Sequence, residues 1–275
     1  MIQTIASDKR AVAAIPEGHV RTLVDPTEHR TRVEVLIVDV DRGKARRFGS
    51  ADRTYVVYVL EGADATIAHT TTAETKRTVG RRAGVYLEPG EAAVVAAPAT
   101  PLRLLVVSVP KYTGKSNDSH APQGYIFEEA QLRSLVDEKQ FRERTFWVNK
   151  ETGLSESWDM QLGRMLYAPR AHSPRHVHHP RQDSAVTPEH FYLIEEGVGE
   201  VKHDSGSLPV GPGSLVLIPA GEWHQLVASD TGFDYIEFQA PFDFVTTMDH
   251  DPLGKNWYIK GTDDGTGKPT RWVQS

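Results

Sequence analysis

Cysteine is absent from the 275 residues, which excludes a disulfide scaffold, a thiolate zinc site, an iron–sulfur cluster and a thiol nucleophile. Any metal must therefore sit on nitrogen or oxygen ligands. A basic surplus is also missing: 31 Lys and Arg stand against 37 Asp and Glu, a net charge of −6. With no basic block, the chain is a poor match to nucleic acid or an anionic membrane. Long apolar runs are lacking too, since stretches such as 102–109 fall far short of the roughly 20 residues a membrane span needs. The opening 1–10 carries Asp8 among polar residues rather than an apolar signal core. Together these absences give the expectation of a soluble, cytoplasmic protein that takes a small-molecule substrate and has neither a nucleic-acid nor a membrane partner.

At roughly 100 to 200 residues per domain, the length allows one large or two small domains. Gly 22 and Pro 17 imply many turns. Two segments alternate short β-branched and aromatic runs with Gly, Pro, Asp and Ser, the pattern of antiparallel sandwiches or barrels. Strands are expected at 32–40, 55–60, 85–87, 92–97 and 102–109, and again at 160–167, 190–195, 199–203, 215–218, 224–227 and 233–239. Between the two segments, the polar stretch 110–124, with Gly114, Asn117 and Pro122, reads as a connector. Residues 128–144 read as a helix, because Ala130, Leu132, Leu135, Val136 and Phe141 form an apolar stripe in a charged segment.

The two strand-rich segments also read as copies of one another. With an offset of 131, Val85 falls on Val216, Gly90 on Gly221, Glu91 on Glu222, Ala97 on Ala228, Thr100 on Thr231 and Pro110 on Pro241. Upstream the offset becomes 135, where the run ending at Gly62 lies over the run ending at Gly197, so the first copy has a hairpin four residues longer. Turn residues match as well as apolar ones, which favours a duplication over shared composition.

Histidine is concentrated. Five of the twelve, His172, His176, His178, His179 and His190, lie within 19 residues. Side chains two apart on a strand share a face, so His176 and His178 point together while Val177 points away. His172 and His179 sit beside Pro174 and Pro180 and read equally well as solvated loop residues. A second motif runs from Gly213 through Pro219 and Gly221 to His224: a strand, a tight Pro-Gly corner, and a return strand whose first inward residue is His224.

These motifs resemble the cupin superfamily: His-x-His at His176 and His178, a ligand position separated by six residues from a glycine (His190 to Gly197), and Gly213-x5-Pro219-x-Gly221-x2-His224. The resemblance is strong over 160–241 and extends weakly, through the repeat, to 32–110. Two positions depart from the family pattern. Arg170 stands where a glycine is usual. His190 stands where a glutamate is usual, with Glu189 one residue out of phase, so the third ligand is His190 or, after a one-residue bulge, Glu189.

The resemblance implies an all-β fold of two cupin barrels, of the jelly-roll, double-stranded β-helix type, with a short helical connector. The expected division is 1–110 as a degenerate N-terminal barrel, 111–159 as the connector and 160–275 as a metal-binding barrel and tail. In the first copy, Tyr55 replaces His190, Ala93 replaces His224 and no His-x-His occurs, so a bicupin with one live site is expected, with His69 at its surface. One divalent transition metal per chain, Fe, Ni, Mn or Zn, is expected on His176, His178, His190 and His224.

A carboxylate-free centre keeps the ion's full charge and favours a small anionic, chelating substrate. The arginines Arg164, Arg170, Arg175 and Arg181 flank the motif as candidate clamps. Catalytic candidates are Glu189, Tyr192 and Arg170, with Glu196 a further possible base and Gln239 at the pocket wall. By resemblance the activity is a dioxygenase; the alternatives are an oxygen-independent isomerase or decarboxylase, and a non-catalytic small-molecule-binding protein. Exposed barrel edges suggest a homodimer.

Overall fold

The computed structural model describes residues 2–70, 76–113, 123–137, 141–150, 154–182, 184, 186–249, 257–263, 265–268 and 270–271. Among these, helix is confined to Pro26–His29 and two 3-10 turns, Ser7–Lys9 and Glu129–Gln131. The short helix starts where Asp25 accepts from the backbone N–H of Thr27 and Glu28 at 2.8 and 2.9 Å, and it stops where Arg30 turns left-handed at φ 53°. No helix among the described residues is long and apolar enough to cross a membrane. Everything else regular is antiparallel strand, as the β-branched runs and their Gly and Pro punctuation require.

The chain divides into two units, Ser7–Gln131 and Met1–Ala6 with Leu132–Ser275. In the first, a seven-stranded sheet is centred on Arg53–Glu61, Leu102–Pro110 and Glu34–Val40, and a four-stranded sheet runs Ala45–Phe48, Ala93–Ala96, Ala65–His69, Lys76–Val79. Their inward residues, among them Val38, Val57, Val59, Ile67, Val85 and Leu104, form one apolar core. The second unit is built on two long strands, Glu189–His203 and His224–Ala240, which pair from Glu189 opposite Ala240 to His203 opposite His224. Gln161–Tyr167 and Arg142–Val148 extend that sheet on one side, and Ser214–Pro219 and Gln3–Ala6 on the other. His176–Pro180 pairs with Phe244–Met248 and meets the long strand at His224.

The helix expected at 128–144 does not form; residues 138–140 lie outside the described set. Tyr125–Glu128 pairs with Ala83–Leu87 in the first unit, while Ser134–Asp137 and Arg142–Val148 pair with each other in the second. Burial alternates along Ser134–Asp137, with Leu135 and Asp137 in and Ser134 and Val136 half out. The stripe read at helical spacing mixed a two-residue period with a left-handed Phe141, φ 53°, whose ring is exposed. Of the polar stretch 110–124, residues 114–122 also lie outside the described set.

Parts of the ladders of the two units correspond in register. Tyr55 lies opposite Leu87 and Ser108, and His190, 135 further on, lies opposite Ile218 and Gln239, each 131 further on. Val57 faces Val85 and Val106 as Tyr192 faces Val216 and Glu237. The irregularity repeats too: Leu60 is skipped between Val59 and Glu61 in the first unit, and Glu195 between Ile194 and Glu196 in the second. The second ladder breaks once more, between Gly197 and Gly199.

Candidate metal centre

His176 and His178 occupy one face of His176–Pro180, and Val177 between them is buried on the other face. His224 opens its strand immediately after the corner at Pro219 and Gly221, where the glycine's φ of 80° lets the chain turn back. This puts His224 in register opposite His176. His190 comes from the facing long strand. All four imidazoles are buried, and one nitrogen from each lies within 4.8 Å of the others. The turn before the first histidine is made without glycine: Arg170 takes the left-handed conformation at φ 63°.

The outer ring nitrogens are tied. Nδ1 of His176 lies 2.9 Å from the Pro174 carbonyl, and Nδ1 of His224 lies 2.9 Å from the Glu222 carbonyl. A carbonyl only accepts, so both rings carry their proton on Nδ1 and turn the Nε2 lone pair inward. Nδ1 of His178 is held by the Thr246 hydroxyl at 3.0 Å. His190 is tied at its other nitrogen, with Nε2 2.8 Å from Glu237 Oε1. Inward lone pairs on convergent, externally oriented imidazoles are what a first-row divalent cation requires. The donor set therefore fits a metal.

Charge in the site follows from burial. Desolvation pushes His176 down to about 4 and holds His178 and His224 well below their ordinary value. His190 is lowered by burial as well, although Glu237 opposes the shift. The four rings are thus neutral at neutral pH, the form that binds metal without displacing a proton. Glu237 is buried too, which disfavours its charge, but the Arg144 guanidinium 2.5 Å away and His190 hold its carboxyl down at about 2. Burial pushes the Tyr192 hydroxyl well above its ordinary value, and that hydroxyl lies 3.1 Å from His224 Nε2 and 3.3 Å from His190 Nδ1.

A cavity of about 350 Å³ adjoins the imidazoles, with His176, His178, Tyr192, Glu237 and Gln239 at one part of its wall and Arg142, Arg144 and Arg181 at others. Of the candidates from the sequence, Tyr192, Gln239 and Arg181 are in this wall, with Arg181 also paired to Asp243 at 3.0 Å. Glu189 is half-buried and on the opposite face of its strand from His190, as alternation requires. Glu196 is exposed. Arg170 is not brought to the cluster: it is exposed and paired with Asp230 at 2.5 Å. Arg164 is buried against Asp234, and Arg175 pairs with Asp204 and Asp249 and lies 4.7 Å over the Trp223 ring. His172 and His179 are exposed.

Two residues of consequence escaped sequence reading. Arg144 was concealed by the helical expectation. Glu237 stands in the run Phe233, Tyr235, Glu237, Gln239, one face of a buried strand, and a carboxylate in so apolar a company was the available signal.

The corresponding positions of the first unit differ throughout. Phe48 stands opposite Ala93 as His176 stands opposite His224, Ser50 follows at the place of His178, and Tyr55 replaces His190. Among the described residues, the four histidines form the one grouping of its kind. His69, expected at the surface, is buried with its Nε2 3.6 Å from Glu91 Oε1. The reason is strand phase, since Ala65, Ile67 and His69 share the inward face of Ala65–His69.

Comparison with known proteins places the fold. The AraC-like ligand binding domain family matches residues 165–242. No curated protein matches the chain in sequence. Among solved structures, the chain is similar to protein Ylba from E. coli, with 18% identity over 87% of this chain and 90% of that one and a TM-score of 0.68. It is similar to the putative glyoxylate induced protein from Pseudomonas aeruginosa, with 14% identity, 91% and 90% coverage and a TM-score of 0.69. Oxalate decarboxylase from Bacillus subtilis aligns with 12% identity, 89% and 78% coverage and a TM-score of 0.68. The fold is of the cupin type, all-β with almost no helix.

Proposed function

We propose that the chain is a bicupin whose second barrel is a metal-dependent enzyme, acting on a small anionic, chelating organic substrate by dioxygenase chemistry. The observation that carries this reading is the set of four buried, neutral imidazoles turned inward beside a cavity of about 350 Å³. The matching ladders of the two units support the duplication, and Phe48, Tyr55 and Ala93 support one live site per chain.

Held by His176, His178 and His224, with His190 as the fourth ligand, a divalent transition metal would supply a positive charge with no carboxylate ligand and Lewis-acid activation of an anionic substrate and dioxygen. The chain's own residues do the rest. Arg144 and His190 fix Glu237 between them, and Arg144 keeps a cationic edge on the cavity. Phe242, Phe244 and Trp257 line the cavity with apolar surface that excludes water.

The preference over isomerisation rests on Glu237. Isomerisation moves a proton between carbons and needs a base poised near neutral pH. Glu237, the carboxylate in the cavity wall among the described residues, is held ionised at about 2 and is too weak a base for that task. Oxygen-dependent cleavage makes no such demand. The similarity to a ligand-binding family over residues 165–242 favours a second reading, a non-catalytic binding protein.

The test is oxygen uptake by the metal-loaded protein against a panel of catechols, diketones and 2-oxo acids. Uptake matched by substrate loss is expected. Turnover that runs equally well under strict anaerobiosis eliminates the dioxygenase, and stoichiometric metal with no turnover on any panel member supports the binding reading.

A further inference from the structure

Three side-chain amides form a directed line across the sheet toward the imidazoles. Nδ2 of Asn149 donates to Oε1 of Gln161 at 2.5 Å, and Nε2 of Gln161 donates to Oε1 of Gln239 at 3.0 Å. All three residues are buried, with exposures of 0, 6 and 3%. An amide has one donor end and one acceptor end, so fixing the first fixes the last. The line leaves the NH₂ of Gln239 facing the histidines, 3.3 Å from His178 Nε2 and 3.0 Å from His190 Nε2.

Neither ring nitrogen is a lasting acceptor. The lone pair of His178 Nε2 is the one a metal would take. Nε2 of His190 is committed in either form, because it gives its proton to Glu237 at 2.8 Å or its lone pair to the metal. A metal-loaded centre therefore leaves two buried N–H bonds of Gln239 without a protein acceptor, an arrangement that is costly unless something else accepts them.

We infer that Gln239 receives an anionic oxygen of the ligand bound beside the imidazoles, a carboxylate or enolate oxygen, and that Asn149 and Gln161 are positioning residues that keep its donor end turned that way. This inference rests on the metal reading above and adds the group that recognises the oxyanion.

The remote end of the line offers the test. Asn149→Asp replaces the first donor by an acceptor, so Gln161 must turn its NH₂ to position 149 and Gln239 must turn its NH₂ to Gln161, presenting its carbonyl to the histidines. Asn149→Leu carries no charge and merely releases the direction, which keeps the test open should the aspartate variant fail to fold. Two readouts are taken. In metal-free protein, proton NMR should show contacts between the Gln239 amide protons and the His178 ring in the wild type, weakened in Asn149→Leu and lost in Asn149→Asp. In cobalt(II)-loaded protein, azide titration of the visible spectrum should give affinities falling in the same order. About tenfold weaker binding is expected for Asn149→Asp, the size of one charge-assisted hydrogen bond. Equal azide affinity and unchanged NMR contacts in all three proteins overturn the inference. A wild type that takes up no cobalt overturns the metal reading instead, and the NMR contacts then still decide the direction of the amide line.

Discussion

Burying four neutral imidazoles has a consequence for stability that can be measured without knowing the metal. In the folded chain, burial pushes His176 from its ordinary 6.5 down to about 4. Between those values the unfolded chain binds a proton that the folded chain refuses, so stability rises with pH across this window. The contribution is fully present above pH 6.5, is lost as the pH falls toward 4, and falls no further below that. At about 1.4 kcal/mol per unit, the whole shift is worth about 3.4 kcal/mol, of which about 2 kcal/mol is lost between pH 7.5 and pH 5. His178 and His224 are shifted the same way and add to the loss. Glu237, lowered from 4.5 to about 2, loses its contribution at still lower pH and leaves the upper window to the histidines. The assay is urea unfolding of chelator-treated protein followed by tryptophan fluorescence. All five tryptophans lie beyond residue 131, so the signal reports the unit that holds the site. His176→Gln should flatten the change between pH 7.5 and pH 5 by about 2 kcal/mol. A wild-type stability that is flat over this range, or a variant with the same pH dependence as the wild type, refutes the reasoning.

Elemental analysis of His176→Ala and His224→Ala should find less than stoichiometric metal in folded protein, and Glu189→Ala should keep its metal while His190→Ala loses part of it; the reverse order for the last two would mean a carboxylate-containing site. The wild type should hold one ion per chain, because Phe48, Tyr55 and Ala93 leave the first unit without imidazoles at the matching positions. Glu237→Gln leaves Arg144 without its carboxylate partner in a site where the two side chains are 21 and 8% exposed. With solvent at the arginine moderating the loss, a destabilisation of about 2 kcal/mol is expected in the same urea experiment. Gly232→Ala should cost about 1–3 kcal/mol, since its φ is 69° and an added Cβ would stand 2.4 Å from the Tyr167 carbonyl oxygen; an unchanged midpoint would show that the turn relaxes.

How much was legible in the sequence depended on the range over which each signal acts. Strand alternation and Gly-Pro punctuation are local, so the all-β architecture, the shared face of His176 and His178, and the corner that aims His224 followed from neighbouring residues. The matching of the two segments was legible because their turn residues fall at fixed offsets, and the same offsets relate Tyr55, Leu87 and Ser108 to His190, Ile218 and Gln239. The phase of His190 against Glu189 was legible only up to a bulge, and the bulges of this strand fall further along, at Glu195 and Val198. What the sequence alone left undecided were properties of pairs far apart in the chain. Arg144 reaches Glu237 across 93 residues, and Gln161 reaches Gln239 across 78. The segment 128–144 carried too few apolar residues to distinguish helix from strand until sheet partners were available to satisfy its backbone. His69 reads as a hairpin residue until Ala65–His69 acquires an inward face and a buried Glu91 beside it. Local periodicity sets which face a side chain takes, but burial, ionisation and hydrogen-bond direction are set by what the fold places opposite it.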